Sequence, residues 1–256
     1  MKLVSLNVYG GKFFKPLMEF LKEQAKDADI FCFQEMLNAP QGAERQEGKS
    51  VQDLFQRCAG ILSEFEGFFD SVEENWVEDM KAPWGLATFV RRTIPLSERG
   101  EFFVFRERNT MEKQNPSTIP RLVQYAKFAY NSKQFTLCNF HGLYSAGSKK
   151  LDTPDRIEQC KRVRDYLNRQ SGAKILCGDF NLAQNTESLR MLEKEMRNLI
   201  TEYGITSTRS SMYYRNYATE THFGDYVIVS PEVQVSDFSV PNIHISDHLP
   251  LIMEFY

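Results

Sequence analysis

Lys174-Ile175-Leu176-Cys177-Gly178-Asp179-Phe180-Asn181 joins a short apolar run to a glycine and then to an acid, an aromatic ring and an amide. The run reads as a buried strand, and the polar residues mark where it leaves the core. Asp179 and Asn181 alternate around Phe180, so both can face one site while the ring anchors beneath them. An Asx turn would use the same residues. What decides between the two is whether other strands end in the same way.

Several do. Leu3–Val8, Ile30–Phe33, Leu86–Val90, Val123–Tyr130, Phe135–Phe140, Tyr226–Val229 and Leu249–Phe255 are further strand-like runs. Between them lie helical patterns. Phe14, Leu17, Met18, Leu21 and Ala25 share one helix face, as do Val51, Leu54, Phe55, Cys58, Ile61, Leu62 and Phe65. Thr153-Pro154 predicts an N-cap and first helical residue of a helix running to about Arg169. Leu189, Leu192, Met196 and Leu199 predict a fourth helix, capped by Asn185 or Thr186. Many strands are separated by too little chain for a crossover helix, so much of the sheet must be antiparallel. A single mixed α/β domain over 1–256 is the expected organisation, with Asn38–Ser50 and Glu107–Pro120 as excursions within it.

Composition narrows the class. The 256 residues are 42% hydrophobic and 25% charged, enough to bury a sizeable core. No stretch approaches the ~18 apolar residues of a membrane span. Met1–Val8 lacks the pattern of a signal peptide and reads as a strand, so a cytoplasmic protein with no membrane insertion is expected. Five scattered cysteines without a Cys-x-x-Cys pair predict buried, reduced thiols. The net charge, 31 minus 34 or −3, argues against a broadly basic nucleic-acid clamp but leaves room for a local groove. Lys149, Lys150, Arg156, Lys161, Arg162 and Arg164 form a basic run, read here as a solvated helix face.

Polar residues recur at the strand ends. Asn7 closes the first run, and Glu35 follows Phe33-Gln34. Asn139-Phe140-His141 continues the Phe135–Cys138 run, placing Asn139 and His141 on one face. Asp225 opens the strand Tyr226–Val229, and Ser246-Asp247-His248 precedes the last strand. Asp247 beside His248 suggests a carboxylate that fixes an imidazole tautomer. Each signal alone has an ordinary structural reading as a turn, strand end or satisfied histidine. The available ligands are carboxylate and amide oxygens, which suit a hard cation such as Mg²⁺ or Mn²⁺ rather than zinc.

In order, Leu6-Asn7-Val8, Gln34-Glu35, Asn139-Phe140-His141, Gly178-Asp179-Phe180-Asn181, Asp225-Tyr226-Val227-Ile228-Val229-Ser230 and Ser246-Asp247-His248-Leu249-Pro250 resemble the motif series of the endonuclease/exonuclease/phosphatase superfamily. The resemblance implies a four-layer α/β sandwich, with two mixed, mostly antiparallel sheets face to face and helices outside. It also implies a Mg²⁺- or Mn²⁺-dependent phosphodiesterase or nuclease acting by in-line attack of water. Glu35 would be the main metal ligand, helped by Asn7 and by Asp179, Asp225 or Asp247 through water. Asp179 would orient or deprotonate the water, and Asn181 would hold that water or a phosphate oxygen. His248, paired with Asp247, would contact the phosphate or act as the base. His141 would complete the phosphate cradle, Asp225 would align His141 or a metal-bound water, and Arg121 would reach a substrate phosphate. A solvent-facing strand-edge arginine is the alternative for Arg121.

DNA or RNA is the first reading of the substrate and a small or lipid-derived phosphoester the second; a catalytically dead binding module is the third. No obligate protein partner is evident. Thr206–Phe223 lacks the tryptophans of exonuclease III-like repair enzymes, although Tyr213, Tyr214, Arg215 and Tyr217 could stack on bases. Trp84 and the charged loop Glu73–Lys81 are candidates for the cleft border, and His222 and His244 for structural roles.

Overall fold

The computed structural model describes residues 1–42, 46–74, 81–112, 115–211 and 222–256. Tyr213, Tyr214, Arg215 and Tyr217, and most of the charged loop before Lys81, lie outside the described residues. In chain order the elements are β1 (Lys2–Asn7), α1 (Phe14–Gln24), β2 (Ile30–Leu37), α2 (Leu54–Ile61), β3 (Phe65–Glu73), β4 (Trp84–Arg91), β5 (Leu96–Phe105), β6 (Arg121–Tyr130) and β7 (Lys133–His141). There follow α3 (Pro154–Asn168), β8 (Ala173–Asp179), α4 (Glu187–Glu193), β9 (Arg197–Asn198), α5 (Leu199–Glu202), β10 (Asp225–Val229), β11 (Val235–Ser239) and β12 (Leu251–Phe255).

Twelve strands form two six-stranded mixed sheets, ordered β11-β12-β1-β2-β4-β3 and β5-β6-β7-β8-β10-β9. This is the expected α/β sandwich. In each sheet one central pair is parallel: β1 with β2, and β7 with β8. A helix separates each pair in sequence, α1 in the first case and α3 in the second, because parallel neighbours need a crossover. The other pairings are antiparallel.

Period-two alternation sorts side chains between the layers. Val4, Leu6, Phe31, Phe33 and Phe89 pack with Leu17, Leu21, Leu54 and Cys58 of α1 and α2. Their neighbours Leu3, Ile30, Cys32 and Val90 turn to the other face and join the core shared with the second sheet. Each fully buried phenylalanine contributes about 1.5–3 kcal/mol. Cys160, Val163, Leu167, Leu189 and Leu192 place α3 and α4 in that second core.

The interior between the sheets is not wholly apolar. Gln34 Nε2 donates to Asn139 Oδ1 at 2.7 Å, and Thr88 Oγ1 to Gln124 Oε1 at 2.6 Å. Asn139 Nδ2 also donates to the carbonyls of Phe33 and Ala87. These bonds pair the buried amide atoms, Gln34 Oε1 excepted, and tie the two sheets together. Asn139 is therefore structural, while its face-mate His141 lies further along β7, at the sandwich edge.

Several expectations are corrected. The helix predicted through Leu199 ends at Glu193, and Met196 and Leu199 belong to the following turn and to α5. Thr186, not Asn185, caps α4, accepting from Leu189 N at 3.2 Å. Strands β3, β5, β9 and β11 were not expected from the sequence. The basic run is not one solvated face: Arg156 is fully buried, bonded to Leu143 O, Ser148 Oγ and Leu151 O, and Lys149 and Lys150 precede the helix. Thr153 does cap α3, accepting from Arg156 N.

All five cysteines are buried and free. Burial pushes Cys58 and Cys160 up to about 12. A thiol-specific disulfide reagent is therefore expected to label none of them in the native protein and all five in denaturant. Rapid native labelling of any one would contradict this packing.

Candidate active site

The strand ends bring the predicted residues to one edge of the sandwich. Glu35 reaches it through a backbone irregularity. The register of β2 with β4 slips between Phe33 and Met36, and Glu35 sits in that bulge with a left-handed φ of 58°. A bulge re-aims a side chain out of strict alternation, and a strained non-glycine backbone often accompanies a site. On the facing sheet, β7 and β8 run parallel in register from Phe135↔Ala173 to His141↔Asp179. Gly178 allows this closeness, since a Cβ there would lie 2.0 Å from Phe140 O. Phe180 packs against Phe140 and Tyr226 at ring separations of 5.3 and 5.2 Å. Asn181, at φ 53°, turns back so that its N–H donates to Asp179 Oδ1 at 2.9 Å, and its Nδ2 donates to Gly142 O.

Asp179 is the hub. Asn7 Nδ2 donates to Asp179 Oδ2 at 3.3 Å and to Glu35 Oε1 at 3.1 Å. His141 Nε2, His248 Nε2 and Arg209 Nη2 stand 3.8, 3.6 and 3.6 Å from Asp179 Oδ2. Burial raises the pKa of Asp179, but Arg209, the two histidines and Lys150 outweigh it and hold the carboxyl well below the usual range. Glu35 behaves oppositely. Burial first, then the Asp247 charge, raise it, against the Asn7 hydrogen bond and His248.

His248 differs from expectation in its partner. Its Nδ1 bonds Asp225 Oδ1 at 2.7 Å, whereas Asp247 Oδ1 lies 3.8 Å from Nε2 and accepts from Ser246 Oγ. Asp225 thus orients His248 rather than His141. Its other oxygen accepts from Thr208 Oγ1 at 3.0 Å. Arg209 Nη1 contacts His248 Nε2. A carboxylate only accepts, so the Asp225 bond places a ring proton on Nδ1. Burial and Arg209 lower the pKa of His248, but Asp225, Asp247 and Asp179 together raise it above its ordinary value. A proton arriving at Nε2 must therefore displace the arginine contact.

His141 is driven well below its ordinary pKa by burial and then by Arg121, and is neutral. Its ring leans on Trp84, with centroids 5.6 Å apart. Arg121 is buried, not solvent-facing, which overturns the alternative reading of it. Burial lowers it to about 10, so it stays charged. Its Nε and Nη1 have no hydrogen-bond partner, and the guanidinium lies 5.3 Å from the Trp84 ring centre. Two idle donors on a buried cation are costly unless an anion arrives.

Glu35, Arg121, His141, Asp179, Asn181, Arg209, Asp247 and His248 line a cleft of about 230 Å³, together with Tyr9, the buried Trp84 and the exposed Tyr144. Arg209 and Lys150 were missed as site residues. Arg209 lies in a stretch without apolar period, and Lys150 was read within a helix face. Only their contacts identify them. His244 bonds Ser210 through Nδ1, and neither His222 nor His244 lines the cleft.

The oxygen donors fit a divalent cation. Glu35 and Asp247 are acidic groups close enough that the Asp247 charge raises the pKa of Glu35, a repulsion that a divalent cation would relieve. Asn7 fits less well: its Oδ1 accepts from Tyr9 N at 3.0 Å and its nitrogen faces Glu35, so ligation through oxygen requires the amide to turn.

The two facing mixed sheets with helices outside define the α/β sandwich of the DNase I-like class. The chain belongs to the Endonuclease/Exonuclease/phosphatase family, whose model matches residues 4–248; members of that family are hydrolases acting on phosphoester bonds. Among solved structures it is similar to a mannosyl-6-phosphatase of Bacteroides thetaiotaomicron, with 16% identity and TM-score 0.75 over 100% of this chain and 99% of that one. It is similar also to D. rerio TDP2 complexed with single strand DNA product, at 14% identity and TM-score 0.73 over 100% and 98%. An endonuclease/exonuclease/phosphatase from Bacteroides vulgatus gives 15% identity and TM-score 0.72 over 100% and 98%. At these identities the likeness speaks for the fold alone. No curated protein matches by sequence. Among the described residues no helix is long and apolar enough to cross a membrane.

Proposed function

We propose that this protein is a divalent-metal-dependent phosphoester hydrolase in which Asp179 activates water and Arg121 grips the phosphoryl group. The observation that carries this reading is the buried Arg121 with two unpartnered donors, in the same cleft as Asp179, His141 and His248. Glu35 and Asp247 would hold Mg²⁺ or Mn²⁺, which when bound offsets phosphoryl charge and stabilises the leaving oxygen. Asp179, kept ionised by surrounding cations, accepts a hydrogen bond from the attacking water and orients it in line. Neutral His141 donates to a non-bridging oxygen. His248 Nε2, with Asp225 behind Nδ1, exchanges a proton with the water or the leaving group. Asn181 holds Asp179 in place and offers its amide to the phosphoryl group.

The small cleft favours a compact phosphoester, or one terminal phosphoester of a longer molecule, over a wrapped duplex. Nucleic acid is the second reading, favoured by Tyr9 and the exposed Tyr144 beside the cleft, on which bases can stack. The test is a hydrolysis panel spanning plasmid DNA, single strands, RNA, abasic DNA, 5′-tyrosyl DNA, sugar and inositol phosphates and sphingomyelin. Turnover of at least one phosphoester is expected, and none of any kind would reject the proposal. A salt series separates the classes. On duplex DNA, log K falls with slope about −0.9 per phosphate contact. The few cations in this cleft predict a shallow slope, of about one to two contacts. A slope of six or more would require a broad basic face that the chain, at net −3, does not offer.

A further inference from the structure

Asp179, Asp225 and His248 bring ligand atoms within 4.8 Å of one another, the grouping a second divalent ion would use beside one at Glu35. That ground is already covered by a side-chain cation. Arg209 is 4% exposed. Its Nη2 lies 3.6 Å from Asp179 Oδ2, its Nε 4.0 Å from Asp225 Oδ2, and its Nη1 4.0 Å from Asp247 Oδ2, while Nη1 also contacts His248 Nε2. One guanidinium thus addresses three carboxylates and the imidazole.

The backbone holds it there. Arg209 pairs with His248 in an isolated antiparallel bridge. Thr208 N donates to His222 O, Ser210 N to Asp247 O, and Leu249 N to Thr208 O, stitching the segment between the entry to β10 and the chain before β12. A second cation supports the first. Lys149 and Lys150 are consecutive non-glycine residues in left-handed conformation, at φ 49° and 61°, and this turn sends Lys150 inward to donate to Phe223 O at 2.7 Å. Gly224 leaves the space for it: a Cβ there would lie 2.6 Å from Lys150 Nζ, 2.9 Å from Arg209 Nη2 and 3.1 Å from Asp179 Oδ1.

We propose that Arg209, backed by Lys150, is a built-in replacement for a second metal ion, so that this site takes one divalent cation. The inference rests on the metal-dependent reading above. Charge balance agrees with it. Four carboxylates (Glu35, Asp179, Asp225, Asp247) meet two arginines (Arg121, Arg209) and Lys150, whose pKa burial lowers to about 7, so the negative excess lies between one and two charges. One divalent ion offsets that excess with at most one positive charge to spare, which a phosphodiester anion neutralises. A second divalent ion would leave a buried excess of positive charge, which desolvation penalises heavily. Arg209 is on this account a positioning residue: its guanidinium occupies the ground among Asp179, Asp225 and Asp247 and holds their carboxylates around it.

Manganese titration followed by electron paramagnetic resonance of the free ion counts sites without reference to activity. The wild-type protein is expected to bind one Mn²⁺ per chain. Arg209→Met is expected to bind two, the second at the vacated carboxylates, and Arg209→Lys, which restores a cation, one. Circular dichroism checks the fold, and Arg209→Gln replaces the methionine variant if that one unfolds. Two tight sites in the wild type would overturn the proposal while leaving metal dependence intact. So would a folded Arg209→Met or Arg209→Gln protein that still binds one. No binding by the wild type would overturn the metal reading itself, and this inference with it.

Discussion

Asp179→Asn is expected to lower turnover by at least about 10²-fold with an unchanged circular dichroism spectrum. The substitution keeps shape and removes one charge. Asn7, His141, Arg209 and His248 all converge on Asp179 Oδ2, so an amide there presents either a weaker acceptor or a donor to groups that need an anion. Positioned acid–base and electrostatic groups contribute on that order. The variant also has a stability signature. Cations hold the native pKa of Asp179 below its unfolded value of about 3.9, so its stabilising contribution is present above that pH and lost as pH falls through the native value. The asparagine variant should therefore lose stability relative to wild type at neutral pH, with the gap narrowing in acid. A kcat within a few-fold of wild type would remove Asp179 from the chemistry.

Asp225→Asn is expected to cost about 10²-fold or more in kcat, although Asp225 does not line the cleft. Its work is done through His248. The 2.7 Å bond from Nδ1 fixes the ring's orientation and tautomer, and a carboxylate-to-amide change behind a catalytic histidine reverses that preference, with losses of up to about 10⁴ in the best-studied case. Asp247→Asn serves as the contrast, because Asp247 is not bonded to Nδ1. Nitrogen chemical shifts of the His248 ring should report a changed tautomer in the first variant and an unchanged one in the second. If Asp225→Asn kept near-full kcat, or if Asp247→Asn changed the tautomer instead, the sequence-based pairing of His248 with Asp247 would be the right one.

What the sequence made legible was the part governed by local pattern. The apolar runs that became β1, β2, β4, β6, β7, β8, β10 and β12 are interior strands, and continuous burial gives them a plain signature. The four that escaped notice, β3, β5, β9 and β11, are the four sheet edges. An edge strand carries charges that discourage further pairing; Leu96–Phe105 opens with Ser97-Glu98-Arg99-Gly100-Glu101 and so hides its strand period. Site residues at strand ends were legible for the same local reason, since a polar residue after an apolar run has somewhere specific to go. Arg209 and Lys150 sit on turns, where position is set by bonds to distant segments and by the room Gly224 leaves. The Asp225–His248 pair joins two segments 23 residues apart, and adjacency in sequence favoured Asp247 instead.

The most direct test of metal-assisted phosphoester hydrolysis at this site is turnover of bis-p-nitrophenyl phosphate by chelator-stripped protein, before and after Mg²⁺ or Mn²⁺ is restored. The account predicts turnover abolished by EDTA and recovered on adding the ion, with no recovery in Glu35→Gln. Undiminished hydrolysis after rigorous chelation, or full recovery in Glu35→Gln, would contradict it.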